Sequence, residues 1–495
     1  MKFYTHFHRT RNKILLRGWH DGKRISKVVN YKPYLFIPSN NESKYKTIHG
    51  NNVDKINFDS FKDARDFIER YKDVANFKVY GLQDFEYVFI NDFYSDEIEY
   101  DAEMIRIAPL DIEVASDAGF PDIQLADKPV TAISFVVNDD IQVFGCGEYT
   151  PHQNNITYHI CKNERQLLIK FVNTFSTYDV DVITGWNTEF FDIPYLINRM
   201  RYLFGEVEGA ELFKKLSPWK IVRERKVMGM RGEQQTYDIV GISHLDYLPV
   251  YKKFSWKEQE SYKLDQVAYH ELGKKKVDYS EYESLLELYK KNHQKFIEYN
   301  IRDITLLPEL ETEKRFLEQI FGLAYDAKVN FNDALTTVRM WDVIIHNYLI
   351  QNNIVIEPQK RDNAHPNIMG GHVKNPVPGK YEWVVSFDLT SLYPMLIQQY
   401  NISPDTILEY IDPVTPLEAS NGAYWQYEDI LQKDNATITP NGCVFTRQKQ
   451  GFLPALMEKI FDQRTHYKKE MLKVKQEVSD VKAEIQARGL KIDKH

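Results

Sequence analysis

Two acids, Asp111 and Glu113, stand two residues apart in the apolar run 105–114, and a second pair, Tyr299 and Asp303, stands four apart in a later run. A separation of two on a strand puts both side chains on one face, and a separation of four on a helix does the same. Asp192 follows the turn Gly185-Trp186-Asn187 and stands just ahead of Ile193-Pro194. Two divalent cations about 3.5–4 Å apart need several carboxylates and little else, because Mg²⁺ prefers oxygen ligands. Such a pair can generate and position hydroxide at one metal and stabilise a leaving 3′-oxygen at the other. Each piece also has a plainer reading. Asp-x-Glu arises by chance in an acidic chain, Asp192 before Ile-Pro fits a helix N-cap, and Tyr299 with Asp303 fits a solvated helix face.

A further acid sits in Trp383-Val-Val-Ser-Phe-Asp388-Leu389-Thr-Ser-Leu-Tyr393-Pro394. Val384, Val385 and Phe387 predict a short buried strand ending on Asp388. A turn through Thr390 and Ser391 then presents Tyr393, and Pro394 can start a helix. A carboxylate at the end of such a strand can hold Mg²⁺ against phosphate oxygens, or it can simply cap the next helix.

The elements that must position these groups are legible in the pattern. The first hundred residues alternate as β structure, as at 28–38, with a helix near 61–71. From 105 the pattern becomes that of an α/β domain. Strands are expected at 105–114, 130–137 and 141–145, a helix at 167–175, a strand at 180–183 and a helix at 193–201. Residues 227–236, with Gly229 and Gly232, predict a projecting hairpin, and 285–310 a single long helix. The Gly/Pro-rich stretch 363–379 marks a linker. Near the end, Tyr467, Met471, Val474, Val478, Val481 and Ile485 step by four and three, a heptad seam that wants a partner helix. Arg464 and Lys468 lie one turn apart on the same predicted helix. From Lys459 onward ten Lys or Arg stand against six Asp or Glu, so this tail is basic.

Composition narrows the class. At 495 residues the chain can hold several domains, each with its own core. No apolar run approaches membrane-spanning length. Three widely spaced cysteines, Cys146, Cys161 and Cys443, argue against a zinc site or a disulfide framework and for a reducing compartment. The net charge of -8 leaves nucleic-acid binding open, because screening lets a basic groove coexist with an acidic surface.

Asp388-Leu-Thr-Ser-Leu-Tyr-Pro394 resembles the first palm motif of the family B DNA polymerases, in a form most like that of T-even-type bacteriophages. Asp111-Ile-Glu113, Asn187-Thr-Glu-Phe-Phe-Asp192 and Tyr299-Asn-Ile-Arg-Asp303 resemble the three exonuclease motifs of the tyrosine branch of the DEDD superfamily. The resemblance implies hydrolysis from a 3′ end, with Asp111, Glu113, Asp192 and Asp303 holding two Mg²⁺ ions (Mn²⁺ being the alternative) and Tyr299 orienting the water. It implies that Asp388 binds the palm metals, that Leu389 and Tyr393 line the nucleotide site with Tyr393 blocking a ribose 2′-hydroxyl, and that Arg464 and Lys468 grip the incoming triphosphate.

The expected fold is multidomain α/β: an α+β N-terminal domain (1–103), a ribonuclease-H-like exonuclease domain (104–310), and a return to the N-terminal domain with a linker (311–375). A partial palm (376–450) and one long finger helix (451–495) follow. Only the first palm motif is present, so these residues alone should not polymerise. The expected partners are primer–template and single-stranded DNA, deoxynucleoside triphosphates, and a C-terminal half carrying the rest of palm, fingers and thumb, through which a sliding clamp would bind. The setting implied is the cytoplasm of an infected bacterial host, with no membrane. The favoured expectation is the N-terminal subunit of a split polymerase. The other two are a free-standing exonuclease with a vestigial palm and a non-catalytic nucleic-acid-binding chain.

Overall fold

The computed structural model describes residues 1–75, 77–116, 119–229, 232–357, 374–433 and 435–488. They form two units. The larger gathers 1–35, 56–73 and 82–347, and the smaller gathers 36–55, 74–81 and the described residues from 348 onward.

The larger unit opens with an antiparallel meander, β1 (Lys2–Arg9), β2 (Ile14–His20) and β3 (Lys23–Val29). Arg17 of β2 is 1% exposed, yet its guanidinium donates to the Val180 carbonyl (2.9 Å) and the Asp179 carboxylate (2.6 Å). Arg24 of β3 reaches both oxygens of buried Asp181, at 2.8 and 2.7 Å. Buried charges held with all partners in place fix one arrangement, here of the meander against the turn 179–181. The helix α1 (Phe61–Tyr71) begins where expected, with the Ser60 hydroxyl accepting from the Asp63 N–H.

The centre of this unit is a six-stranded sheet. In chain order its strands are β4 (Ile107–Val114), β5 (Val130–Val137), β6 (Asp140–Gly145), β7 (Ile156–Ile160) and β8 (Val182–Thr184). A separate antiparallel hairpin, β9 (Val222–Gly229) with β10 (Gly232–Ile239), precedes the last strand, β11 (Ser243–His244). Across the sheet the order is β7-β6-β5-β4-β8-β11, antiparallel from β4 to β6 and parallel at both ends. The helices α2 (Glu164–Thr177) and α3 (Asp192–Phe204) cover one face, packing Phe171, Phe175, Leu196 and Met200 against Leu110, Ile112 and Phe135. The opposite face takes α5, defined below, whose Phe296, Ile297, Ile301 and Ile304 meet Ala132, Val136 and Val143. Burial of each such side chain contributes about 1.5–3 kcal/mol. Since Leu110 and Ile112 enter the first core, strand alternation sends Asp111 and Glu113 to the second face.

Two expectations need correction here. The strand β7 was not foreseen, because Thr157 and His159 interrupt its apolar pattern; it pairs parallel to β6. The helix expected over 285–310 is two, α4 (Leu285–Lys291) and α5 (His293–Lys314). Asn292 (φ -144°, ψ 77°) breaks the run, and its side chain caps α5 by accepting from the Lys295 N–H. An Asn that bonds its neighbours' backbone competes with the helix it interrupts.

In the smaller unit, Ile354–Val355 pairs in parallel with Tyr45–Thr47, so early and late residues share a sheet. A second sheet orders Ile407–Tyr410, Cys443–Thr446 and Ala436–Ile438. The helices α6 (Leu392–Tyr400) and α7 (Phe452–Ala487) pack on each other. The strand expected before Asp388 is absent. Val384 and Phe387 are 77% and 92% exposed. Among the described residues no strand lies beside 383–388, and a strand without a neighbour leaves its backbone groups and apolar side chains to water. Of the expected linker, 363–373 lies outside the described residues, as does the turn 230–231 of the hairpin. All three cysteines are free, and among the described residues no helix is long and apolar enough to cross a membrane.

Candidate active site

The four exonuclease-like acids come from three elements. The strand β4 supplies Asp111 and Glu113, and α5 supplies Asp303 from the buried stripe that also carries Ile297, Ile301 and Ile304. Oxygens of Asp111, Glu113 and Asp303 all lie within 4.8 Å of one another. Asp192 is the first residue of α3 and is 3% exposed. It does not cap that helix; its Oδ1 accepts from the Ile112 N–H at 3.0 Å, tying α3 to the strand that carries the other acids. Asp192 stands outside the tight trio, though its charge acts on Asp111.

The loop from β8 to α3 is shaped by another carboxylate. Asp246 accepts from the backbone N–H of Asn187 (2.9 Å), Glu189 (3.0 Å) and Leu248 (3.0 Å). Asn187 turns the chain with φ 71°, and a Cβ on Gly185 would come within 2.0 Å of the Thr188 side chain and 2.7 Å of the Leu110 carbonyl. Only glycine fits there.

Crowding and burial set the charges. Burial first, then Glu113, Asp303 and Asp192, hold the Asp111 carboxyl well above the usual range. Burial, then Asp303, pushes Glu113 up to about 8, and burial pushes Asp192 up to about 7. Asp303 is raised by burial against the pull of Lys276. Mutually repelling carboxylates in a low-dielectric pocket are relieved by a cation.

One cation is built in, and sequence reasoning missed it. The Lys276 ammonium donates to Asp303 Oδ2 (2.5 Å) and to the Tyr299 hydroxyl (3.2 Å). Burial alone would lower its pKa, but Asp303, Tyr299 and Asp111 outweigh that and raise it, so it stays charged. Its only sequence signal was membership of Lys274-Lys275-Lys276, which reads as a solvated run. Asn300 was also missed; it sits between Tyr299 and Asp303 and is fully buried. Asp303 Oδ1 and Asn300 Oδ1 are buried without a hydrogen-bond partner.

The donor set is all oxygen, anionic and partly unsatisfied, which fits a hard divalent cation. Two of its members, Asp111 and Asp303, line an open cleft of about 720 Å³ whose walls include Trp186, Tyr279, Lys263 and Lys275. The palm-like residues form no comparable site. Asp388 and Leu389 are exposed just ahead of α6 and Tyr393 is exposed in its first turn, and Arg464 and Lys468 are exposed one turn apart on α7.

Comparison with known proteins finds two family models on the chain. The model for the exonuclease domain of DNA polymerase family B matches residues 80–267, and that for DNA polymerase family B matches 333–493. The chain is 33% identical to a DNA-directed DNA polymerase of Escherichia phage RB69, over 96% of this chain and 54% of that protein. It is 32% identical to the DNA-directed DNA polymerase of Enterobacteria phage T4, over 95% and 54%. A DNA polymerase delta catalytic subunit of Candida albicans is 27% identical, over 77% of this chain and 37% of the relative. The chain thus spans about half the length of the phage relatives it matches.

Proposed function

The chain belongs to the family B DNA polymerases, and on that premise we propose that its acidic cleft is a proofreading 3′→5′ exonuclease centre acting on single-stranded primer ends. The observation that carries this reading is the trio Asp111, Glu113 and Asp303, with oxygens within 4.8 Å of one another, of which Asp111 and Asp303 line an open cleft. The sheet of mixed direction with helices on both faces supports the ribonuclease-H-like reading of the domain.

In this proposal Asp111, Glu113, Asp192 and Asp303 hold two Mg²⁺ ions, with Mn²⁺ as the alternative. When bound, the metals supply Lewis-acid stabilisation of the phosphate and a water of lowered pKa. The chain's own groups do the rest. Tyr299 orients the water with Glu113, and Lys276 keeps the Tyr299 hydroxyl fixed while offsetting the local negative charge. Trp186 and Tyr279 offer faces against which unpaired bases can stack, and Lys263 and Lys275 stand where the backbone phosphates would run. Replacing Asp111 and Glu113 together by Ala should abolish release of deoxynucleoside monophosphates while leaving circular dichroism unchanged. Residual metal-dependent hydrolysis in the purified double variant would overturn the assignment.

For synthesis, we propose that Asp388 is the first palm carboxylate, with Leu389 and Tyr393 at the nucleotide and Arg464 and Lys468 on the triphosphate. Two-metal transfer needs a second palm carboxylate, which these 495 residues do not identify. The proposal therefore includes a C-terminal part with the rest of palm, fingers and thumb, and a sliding clamp engaged through it. The open seam on α7 is the surface that part would cover. The site of action is the cytoplasm of an infected bacterial cell.

A further inference from the structure

Asn300 occupies a position that neither catalysis nor core packing explains. It lies on the buried stripe of α5, where its neighbours one turn away include Phe296, Ile297 and Ile304, and it is 0% exposed. Its amide nitrogen donates to Asp111 Oδ2 at 2.7 Å, and its side chain also bonds Glu113. One amide thus acts on both acids of the β4 pair. The orientation of that amide follows from its neighbours, since the flipped form would turn its oxygen onto a carboxylate. The remaining atom, Oδ1, is buried and has no donor among the described residues.

A buried amide oxygen without a donor, in a site where Asp303 Oδ1 is also buried and unpaired, has an unfilled demand. What meets it must bring N–H or O–H groups, since the Lys276 ammonium is turned to Asp303 Oδ2 and the Tyr299 hydroxyl. Water bound to a divalent cation does this, because the cation turns the water's oxygen toward itself and its hydrogens outward. Resting on the metal-dependent exonuclease reading above, we propose that Asn300 is a positioning residue: its Nδ2 sets the spacing of Asp111 and Glu113, and its Oδ1 accepts from cation-bound water. It touches no substrate atom. Partners that orient ligands in this way are the ones whose loss weakens metal binding without removing a ligand.

The test is Mn²⁺ binding to the whole 495-residue chain, by calorimetry, for the wild type, Asn300→Ala and the nearly isosteric apolar Asn300→Leu. Folding is checked by circular dichroism in EDTA, and Asn300→Ser serves as a third variant that keeps a small polar group. The expected result is a dissociation constant weakened about 10–100-fold in Ala and Leu and less in Ser. On single-stranded DNA, kcat should fall while KM stays near the wild-type value. Mn²⁺ affinity and kcat unchanged in any folded Ala or Leu variant would overturn the role of Asn300. A wild-type chain that binds no Mn²⁺ would instead overturn the exonuclease reading on which this role rests.

Discussion

Lys276 puts an ammonium group on the same aspartate that the proposal assigns to a metal, and this makes it a sensitive probe of the site. Its partner Asp303 is 6% exposed, so Lys276→Met leaves a buried carboxylate without its cation. Breaking such a pair costs about 3–5 kcal/mol when the remaining group is charged. The loss should appear in urea unfolding in EDTA at pH 8 and shrink at acid pH, as the raised Asp303 carboxyl takes up a proton. An equal loss at both pH values would mean that the lysine acts by packing alone. The raised carboxyls give a second prediction. Asp111, Glu113 and Asp192 hold protons in the folded state that the unfolded chain releases near the ordinary carboxylate range. The folded form therefore binds more protons than the unfolded one between that range and about 8, and metal-free stability falls as pH rises through this window. Asp111→Asn with Glu113→Gln removes most of the effect. Unfolding midpoints from pH 5 to 8 in EDTA should therefore slope downward more steeply for the wild type than for the variant, and divalent cation should flatten the wild-type slope. Asp111, Glu113 and Asp303, which the structure brings together, could be picked out as candidates because spacings of two on a strand and four on a helix each fix a face, whereas Asp192 carried no such spacing. Lys276 and Asn300 could not, because their roles depend on a contact between a loop, a helix and a strand far apart in the chain.

At the scale of elements, the loop between β8 and α3 shows how a site residue is aimed from a distance. Asp192 can reach the Ile112 N–H only if the turn 185–191 holds its shape, and Asp246 holds that turn by accepting from Asn187 and Glu189. Asp246→Ala leaves those buried donors unpaired, and each such loss costs about 1–3 kcal/mol. The variant should unfold at lower urea and lose exonuclease rate even where it remains folded, as read by single-turnover hydrolysis of a labelled single strand. Full rate in a destabilised variant would separate the turn from the placement of Asp192. The elements themselves were mostly readable: β4, β5 and β6, and the helices α2 and α3, follow periodic apolar runs. Those that were not have local causes. The strand β7 is too polar in its middle to stand out, and Asn292 interrupts an apolar period that continues through it. The 383–388 run was read as a strand from its apolar side chains, but apolar content alone cannot supply the neighbouring strand that pairing requires.

The whole molecule pairs a metal-ready cleft in the larger unit with a smaller unit that exposes much apolar surface. Val384, Val385 and Phe387 are 77%, 71% and 92% exposed, and on α7 Tyr467, Met471, Val474, Val478 and Val481 are all at least 45% exposed. Apolar patches of this extent mark surfaces meant for a partner. The two patches also flank the residues proposed for nucleotide chemistry, Asp388 before one helix and Arg464 with Lys468 on the other. A C-terminal part that completes the palm would therefore have to cover both. Hydrogen exchange gives the test. With a matching C-terminal polymerase part added, 383–389 and 467–485 should become protected together, while 107–114 and 293–314 should not change. Under the same conditions a 5′-labelled primer on a template, with Mg²⁺ and deoxynucleoside triphosphates, should switch from shortening to extension. Extension by these 495 residues alone would show that the second palm carboxylate is already among them, and protection of only one segment would divide the palm from the finger helix as separate surfaces.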